Sequence, residues 1–196
     1  MKRIFDIIAS GCGLLVLSPP FIILAIWIKI DSKGPVFYKQ IRVGQYNKDF
    51  MLYKFRSMRV GSDKKGLITV GNRDARITKS GYFIRKYKLD EFPQLINVLI
   101  GDMSLVGPRP EVRKYVELYI EEQLHVLDVK PGITDLASIR YRNENEILEK
   151  AENPDEYYTN VVMQDKLKIN LEYVANHSFW YDISLIFKTF WAIVSK

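Results

Sequence analysis

IIASGCGLLVLSPPFIILAIWI, residues 7 to 28, is a run of 22 residues without one formal charge. As one helix at 1.5 Å per residue it is about 33 Å long, enough to cross a bilayer. Three features point instead to a segment that enters one leaflet and returns. Ser18-Pro19-Pro20 lies near the middle of the run, and two adjacent prolines remove two amide donors and disfavour helical geometry before each ring. The serine hydroxyl is placed to satisfy an orphaned backbone group at that break. Lys2 and Arg3 precede the run and Lys29 and Lys33 follow it, so both flanks carry the charge that favours the cytoplasmic side. A cleaved leader fits less well, because apolar residues continue past any small-residue cleavage site. The expectation is a helix–break–helix that dips into the membrane, with a straight span as its alternative.

Outward from this run the charge is segregated. From Lys39 to Lys88 there are 14 Lys/Arg against three Asp, net +11; from Glu111 to Asp165 there are 13 acidic against six basic residues, net −7. An apolar anchor followed by a basic stretch suits an interface and anionic ligands. The whole chain of 196 residues has room for one core. One cysteine excludes an internal disulfide, and two histidines beside it leave no zinc site of the usual kind. No Walker-type lysine motif, dinucleotide-binding glycine fingerprint or nucleic-acid recognition motif is present.

Val36-Phe37-Tyr38 and Phe50-Met51-Leu52-Tyr53 read as two strands around a turn at Gly44–Lys48. Residues 61 to 81 read as loop. Phe92, Leu95, Ile96 and Leu99 recur at helical spacing, which predicts a helix over 91–100, capped by Asp90 and ended by Gly101. Gly107-Pro108-Arg109-Pro110 is a rigid loop. A helix over 111–127 turns Val112, Val116, Tyr119, Ile120, Leu124 and Leu127 inward, and Pro131-Gly132 turns the chain. Residues 143–176 are helical with a break at Asn153-Pro154. The aromatic tail from Ser178 reads as a helix lying in the interface.

Asp90-Glu91 is the first candidate for chemistry. Neighbours at i and i+1 do not share a helix face, so two separate roles suit the pair better than a facing acid–base dyad. Arg85, Lys86 and Lys88 come just before it. A carboxylate among cations suits attack on phosphorus, because the cations offset its repulsion from phosphate; plain helix-start acids are the structural alternative. Arg109, between two prolines, is preorganised for bidentate phosphate contact, with an ion pair to Asp102 or Glu111 as its alternative.

KFRSM (54–58), LDEFPQLINVLIGDMSLVGPRPE (89–111) and KPGIT (130–134) resemble the signature of the bacterial sugar transferases, small monotopic phosphoglycosyl transferases, and the resemblance spans essentially the whole chain. It implies an α/β fold, mixed and mostly helical. Residues 1–33 would form a re-entrant anchor broken at Ser18-Pro19, and residues 34–196 a cytoplasmic catalytic domain with interfacial amphipathic helices. It implies transfer of a sugar-1-phosphate from a UDP-sugar to undecaprenyl phosphate at the bacterial inner membrane, as the first membrane step of surface glycan assembly. Mg²⁺ is the implied cofactor, with Asp90 and Glu91 as its side chains. Asp90 would be the nucleophile that carries a covalent phosphosugar, and Glu91 its catalytic neighbour. Arg85, Arg109 and Arg142 would meet phosphate. Membrane lipids are implied partners and nucleic acid is not; a homodimer and downstream glycosyltransferases are further partners that the resemblance allows. Asp135 after Thr134, and Asn170 where many members carry Asp, depart from the family pattern. A catalytically inactive membrane-tethered scaffold of a glycan-assembly complex is the competing reading.

Overall fold

The computed structural model describes residues 1–66, 71 and 74–194. Its first element, α1 (Lys2–Asp31), is a 30-residue helix with Pro19 and Pro20 inside it. The chain stays helical through the di-proline instead of ending there. Pro19 has no N–H for the Leu15 carbonyl one turn back, and the Ser18 hydroxyl donates to that carbonyl at 2.8 Å in its place. Most of α1 presents isoleucine, leucine and valine to the outside, among them Ile8, Leu15, Val16, Ile22 and Ile23. Only Asp6, Ser10, Leu24 and Ile28 are buried.

Both ends of α1 are fastened to the same globular body. At its start the Lys2 ammonium donates to the Val106 carbonyl (3.0 Å) and the Tyr173 hydroxyl (3.0 Å), and pairs with Asp182 at 2.6 Å. Arg3 donates to the carbonyls of Val98 and Leu99. Buried Asp6 accepts from the Ser104 hydroxyl and the Leu105 amide. At its end the buried Arg56 guanidinium takes the carbonyls of Ile28, Ser32 and Lys33, and Asp31 accepts from the amide and hydroxyl of Ser80.

After α1 come β1 (Phe37–Val43) and β2 (Asp49–Phe55), an antiparallel hairpin that pairs Phe37 with Phe55 and Val43 with Asp49. The strands and their turn lie where the alternation predicts. Of the 61–81 stretch read as loop, residues 67–70 and 72–73 lie outside the described residues; the rest holds a 3₁₀ turn, Ser62–Lys65, and the start of α2 (Lys79–Lys86), capped by the Thr78 hydroxyl accepting from the Gly81 amide. α3 (Gln94–Ile100) ends at Gly101 in the left-handed region, as expected. Its start differs from the expectation: Pro93 holds the N-cap position, and Asp90 lies in a separate 3₁₀ turn, Leu89–Glu91.

The helix expected over 111–127 is broken into α4 (Arg113–Val116) and α5 (Glu121–Leu124), followed by a 3₁₀ turn. Val112, Tyr115, Val116 and Val126 go inward, whereas Ile120 and Leu124 face out, because the break between the two short helices resets the register. Residues 132–134 are more than a turn. β4 (Gly132–Thr134) pairs in parallel with β3 (Ser104–Val106), Ser104 opposite Gly132 and Val106 opposite Thr134. Then follow α6 (Leu136–Arg140), α7 (Glu144–Glu149) and α8 (Pro154–Tyr157), whose cap, Asn153, marks the expected break. α9 (Met163–Asn176) and α10 (Phe179–Val194) complete a mostly helical fold with one long apolar N-terminal helix. α10 leaves Trp180, Phe187, Phe190 and Trp191 exposed while Leu185 is fully buried against Val106 and Tyr173.

Candidate active site

The site is built where α2 hands over to α3. Lys88 adopts a left-handed conformation (φ 56°), uncommon for a residue with a Cβ, and turns the chain sharply after α2. The following 3₁₀ turn buries Asp90. Among the described residues no hydrogen-bond partner reaches its sealed Oδ1. Glu91 diverges from it and accepts a bidentate contact from Arg109, NH1 to Oε2 at 3.1 Å and NH2 to Oε1 at 2.5 Å. Lys54 Nζ lies 3.5 Å from Glu91 Oε1. The two adjacent carboxylates thus have different surroundings, and Arg109 pairs with Glu91 rather than with Asp102 or Glu111.

Arg109 is held by backbone on both sides of its loop. Gly132 donates its amide to the Pro108 carbonyl (3.0 Å), and the Gly107 amide donates to the Thr134 carbonyl (3.1 Å). These strands approach so closely that a Cβ on Gly132 would stand 2.1 Å from the Gly107 nitrogen. On the other side, Arg42 donates to the Pro110 carbonyl at 3.0 Å, and the Val43 amide to the Glu111 carbonyl at 2.9 Å. The two short strands and the hairpin therefore fix the guanidinium over Glu91.

The charges respond to this enclosure. Burial, and then the Glu91 charge, raise the Asp90 carboxyl above its ordinary value, while Lys54, Arg85 and Lys88 pull the other way. Burial alone would also raise Glu91, but Arg109 and Lys54 outweigh it and hold Glu91 well below the usual carboxylate range. Burial lowers the Lys54 ammonium to about 8 against the pull of Glu91. The Glu91 charge, in turn, raises Arg109. Glu91 is therefore an anion that holds Arg109 and Lys54, the Lys54 charge acts on Asp90, and Asp90 keeps an oxygen without a partner among the described residues.

Arg85 stands in the last turn of α2, where its charge acts on Asp90. Arg142 donates to the Ala192 carbonyl of α10 at 3.3 Å instead of joining Glu91. Asp102 accepts from Asn97 Nδ2 at 3.3 Å, and that same amide ties α3 to β2 through the Met51 carbonyl and the Tyr53 amide. Asp135 caps α6 through Ser138. Asn170 is buried with its Oδ1 unpartnered, in a cavity of about 20 Å³ that Arg109 and its flanking prolines also line. That is room for about one water.

Sequence reasoning missed Lys54. A signal was available: in β2 it shares the strand face of Phe50 and Leu52, and a lysine on an inward face needs a charged partner. Among the described residues no group of three His, Cys, Asp or Glu is placed to hold a metal.

A family model described as bacterial sugar transferase matches residues 1–196. Among similar proteins is a UDP-glucose:undecaprenyl-phosphate glucose-1-phosphate transferase of Escherichia coli (strain K12), 39% identical over 96% of this chain and 39% of its own length. A UDP-N-acetylgalactosamine-undecaprenyl-phosphate N-acetylgalactosaminephosphotransferase of Aeromonas hydrophila is 37% identical over 100% of this chain and 44% of its own. An uncharacterized sugar transferase of Bacillus subtilis (strain 168) is 38% identical over 95% of this chain and 83% of its own. The chain thus spans about two fifths of the length of the first two relatives and most of the third. With the whole of its length matched and its central motif folded around one buried charge cluster, the chain belongs to the bacterial sugar transferase family.

Proposed function

We propose that the chain transfers a sugar-1-phosphate from a UDP-sugar to undecaprenyl phosphate, releasing UMP, with the phosphosugar carried in between on Asp90. The observation that carries this reading is buried Asp90, one carboxylate oxygen unpartnered, next to Glu91, which holds Arg109 and Lys54. In the first step an Asp90 oxygen forms a bond to the β-phosphorus. The bond from that phosphorus to the bridging oxygen breaks, and its electron pair leaves on UMP. In the second step a phosphate oxygen of the lipid attacks the same phosphorus and the Asp90 carboxylate leaves. Arg109 and Lys54, oriented by Glu91, meet the charge that grows on the phosphoryl oxygens. Arg85 is set to draw the diphosphate in. Arg142 is assigned to the nucleotide or sugar end of the donor.

Magnesium binds through one or two carboxylates together with substrate phosphates, and the residues present fit that pattern. Asp90 would meet the ion through Oδ2, because its Oδ1 is sealed. Glu91 is its neighbour, but both its oxygens already meet cations. Mg²⁺ at Asp90 would neutralise phosphate charge there.

The anchor reading is monotopic: residues 1–33 dip into the cytoplasmic leaflet, and residues 34–196 face the cytoplasm, where UDP-sugars are made. The support is the fastening of both ends of α1 to one body, Lys2, Arg3 and Asp6 at one end and Ile28, Asp31 and Lys33 at the other. A straight span would send those ends to opposite sides of the bilayer. The exposed aromatic residues of α10 then rest in the interface, and the lipid phosphate reaches Asp90 without leaving the membrane.

The test is mass spectrometry of the full chain in lipid with a UDP-sugar panel and no lipid acceptor. A phosphosugar adduct on the Asp90 peptide is expected, and Asp90→Asn should lose both adduct and UMP release while keeping its fold. Turnover by that variant, or an adduct on another residue, would sink the assignment. Complete inactivity of the wild-type chain with every donor would favour the scaffold reading.

A further inference from the structure

Two sealed side-chain atoms beside the proposed nucleophile have no partner: Asp90 Oδ1, an acceptor, and Gln94 Nε2, a donor. Gln94 is 1% exposed, so water does not satisfy its N–H. Leaving a buried donor or acceptor unpaired costs on the order of 1–3 kcal/mol, and here one of each lies in the same turn of chain. Their spacing is i, i+4. The backbone between them is a right-handed turn, with Phe92 at φ −59° and Pro93 at φ −60°, which keeps the two side chains close in the chain.

About one turn further along α3, Asn97 binds the backbone of β2 at Met51 and Tyr53. Lys54, one residue further along β2, acts on Asp90. A cation at Oδ1 would satisfy the carboxylate, but it would leave the Gln94 N–H bare. An N–H needs an acceptor, and the carboxylate one turn earlier has one free.

We infer that Gln94 is a positioning residue for the transfer reaction: its side-chain N–H, which meets no acceptor in this structure, donates to Asp90 Oδ1 in the reacting complex and leaves Oδ2 as the oxygen that attacks phosphorus. The inference rests on the reading of Asp90 as nucleophile. Of the two carboxylate oxygens, only Oδ1 is both sealed and unpartnered, so holding it fixes the rotamer and aims the other oxygen outward. When the phosphosugar forms, Oδ2 becomes the ester oxygen and Oδ1 the carbonyl, which still accepts from Gln94. When the lipid phosphate displaces Asp90, the same N–H receives the returning carboxylate charge.

The experiment measures single-turnover adduct formation at saturating UDP-sugar, without acceptor, on the full chain in lipid vesicles. Gln94→Met keeps the volume and removes the donor. Gln94→Asn keeps the amide but does not reach. Gln94→Glu keeps the shape and puts an acceptor where the donor was. Met and Asn should slow adduct formation about 10-fold, the worth of one hydrogen bond to a charged group, and Glu should slow it further. The donor KM should stay within about twofold if one hydrogen bond is lost in the reacting step alone.

If packing alone matters, the isosteric Glu variant will match wild type, which overturns the inference. Wild-type rates in Met and Asn, or a loss confined to donor KM, also overturn it. Should the Glu variant melt early, the Met and Asn pair decides. The adduct is first mapped in wild type. An adduct away from Asp90 refutes the nucleophile assignment itself, whereas an adduct on Asp90 with unchanged variant rates refutes only the role of Gln94.

Discussion

Gly132→Ala isolates the backbone that holds Arg109, because the substitution touches no charged group. The added Cβ would stand 2.1 Å from the Gly107 nitrogen, 2.5 Å from its oxygen and 2.7 Å from its Cα. Ordinary contact begins near 3.4 Å, so β4 and the 107–110 loop must separate by more than 1 Å. No flexible side chain is there to give way; every one of these atoms is backbone. Separation strains or breaks the Gly132–Pro108 and Gly107–Thr134 hydrogen bonds. Overpacking of this kind costs about 1–3 kcal/mol, and two backbone bonds add about 1 kcal/mol each. The sum, about 3–5 kcal/mol, corresponds to a melting temperature lower by roughly 6–20 °C for a chain of this size. Activity should fall further than stability explains, since a misplacement of about 1 Å at a positioned group costs on the order of 100-fold. Thermal unfolding in lipid, followed by UMP release well below the new midpoint, measures both. A variant that melts within a degree of wild type and releases UMP at a similar rate would refute the claim that this glycine contact sets the Arg109 loop.

Arg109→Lys keeps the charge but loses the planar fork that grips both Glu91 oxygens, and kcat/KM for UMP release should drop by about 10-fold or more; full activity would contradict the phosphate role. Topology is read by membrane-impermeant thiol labelling in intact cells, in a Cys12→Ser background, with one cysteine at Lys33 or one in a short extension before Met1. Neither should react from outside, and labelling of either would rule out the monotopic anchor. Asp155 gives a pH signature, since hydrogen bonds from Lys114 and then Tyr115 hold its carboxyl below the ordinary value. Its stabilisation is present above the unfolded value near 4 and lost as pH falls through the lower native one. The melting difference between wild type and Asp155→Asn should therefore be largest near neutral pH and shrink in acid, and a difference constant down to pH 2 would sink the assignment.

Local patterns were legible where the deciding interactions are local. The β1–β2 hairpin follows from alternation and a turn of Gly44 to Lys48, and α3 stops at Gly101 because a left-handed residue ends it. The break at Asn153-Pro154 is a side-chain cap three residues from its target. The long helix expected over 111–127 failed for the opposite reason. Its apolar positions fit one helical face on paper, but Val112, Tyr115 and Val126 pack against Tyr158, Met163 and Leu167, and that surface takes two short helices with a break between them. The di-proline misled in part: Ser18 supplies the Leu15 carbonyl with a donor, so helical hydrogen bonding continues past a residue that lacks an N–H.

The sequence by itself determined the apolar first helix, the segregation of charge, the hairpin and the motif that carries Asp90, Glu91 and Arg109. Each is a matter of residue type and short spacing. Tertiary structure alone decided which partners those residues have. Glu91 meets Arg109 across 18 residues and Lys54 across 37, and Lys2 meets Asp182 near the far end of the chain. The parallel pairing of β3 with β4 joins two three-residue strands, too short for alternation to show in side-chain periodicity. Burial follows the same rule: Lys54 looks like surface charge until β2 turns it inward beside Glu91, and only then does losing water bring its ammonium down to about 8.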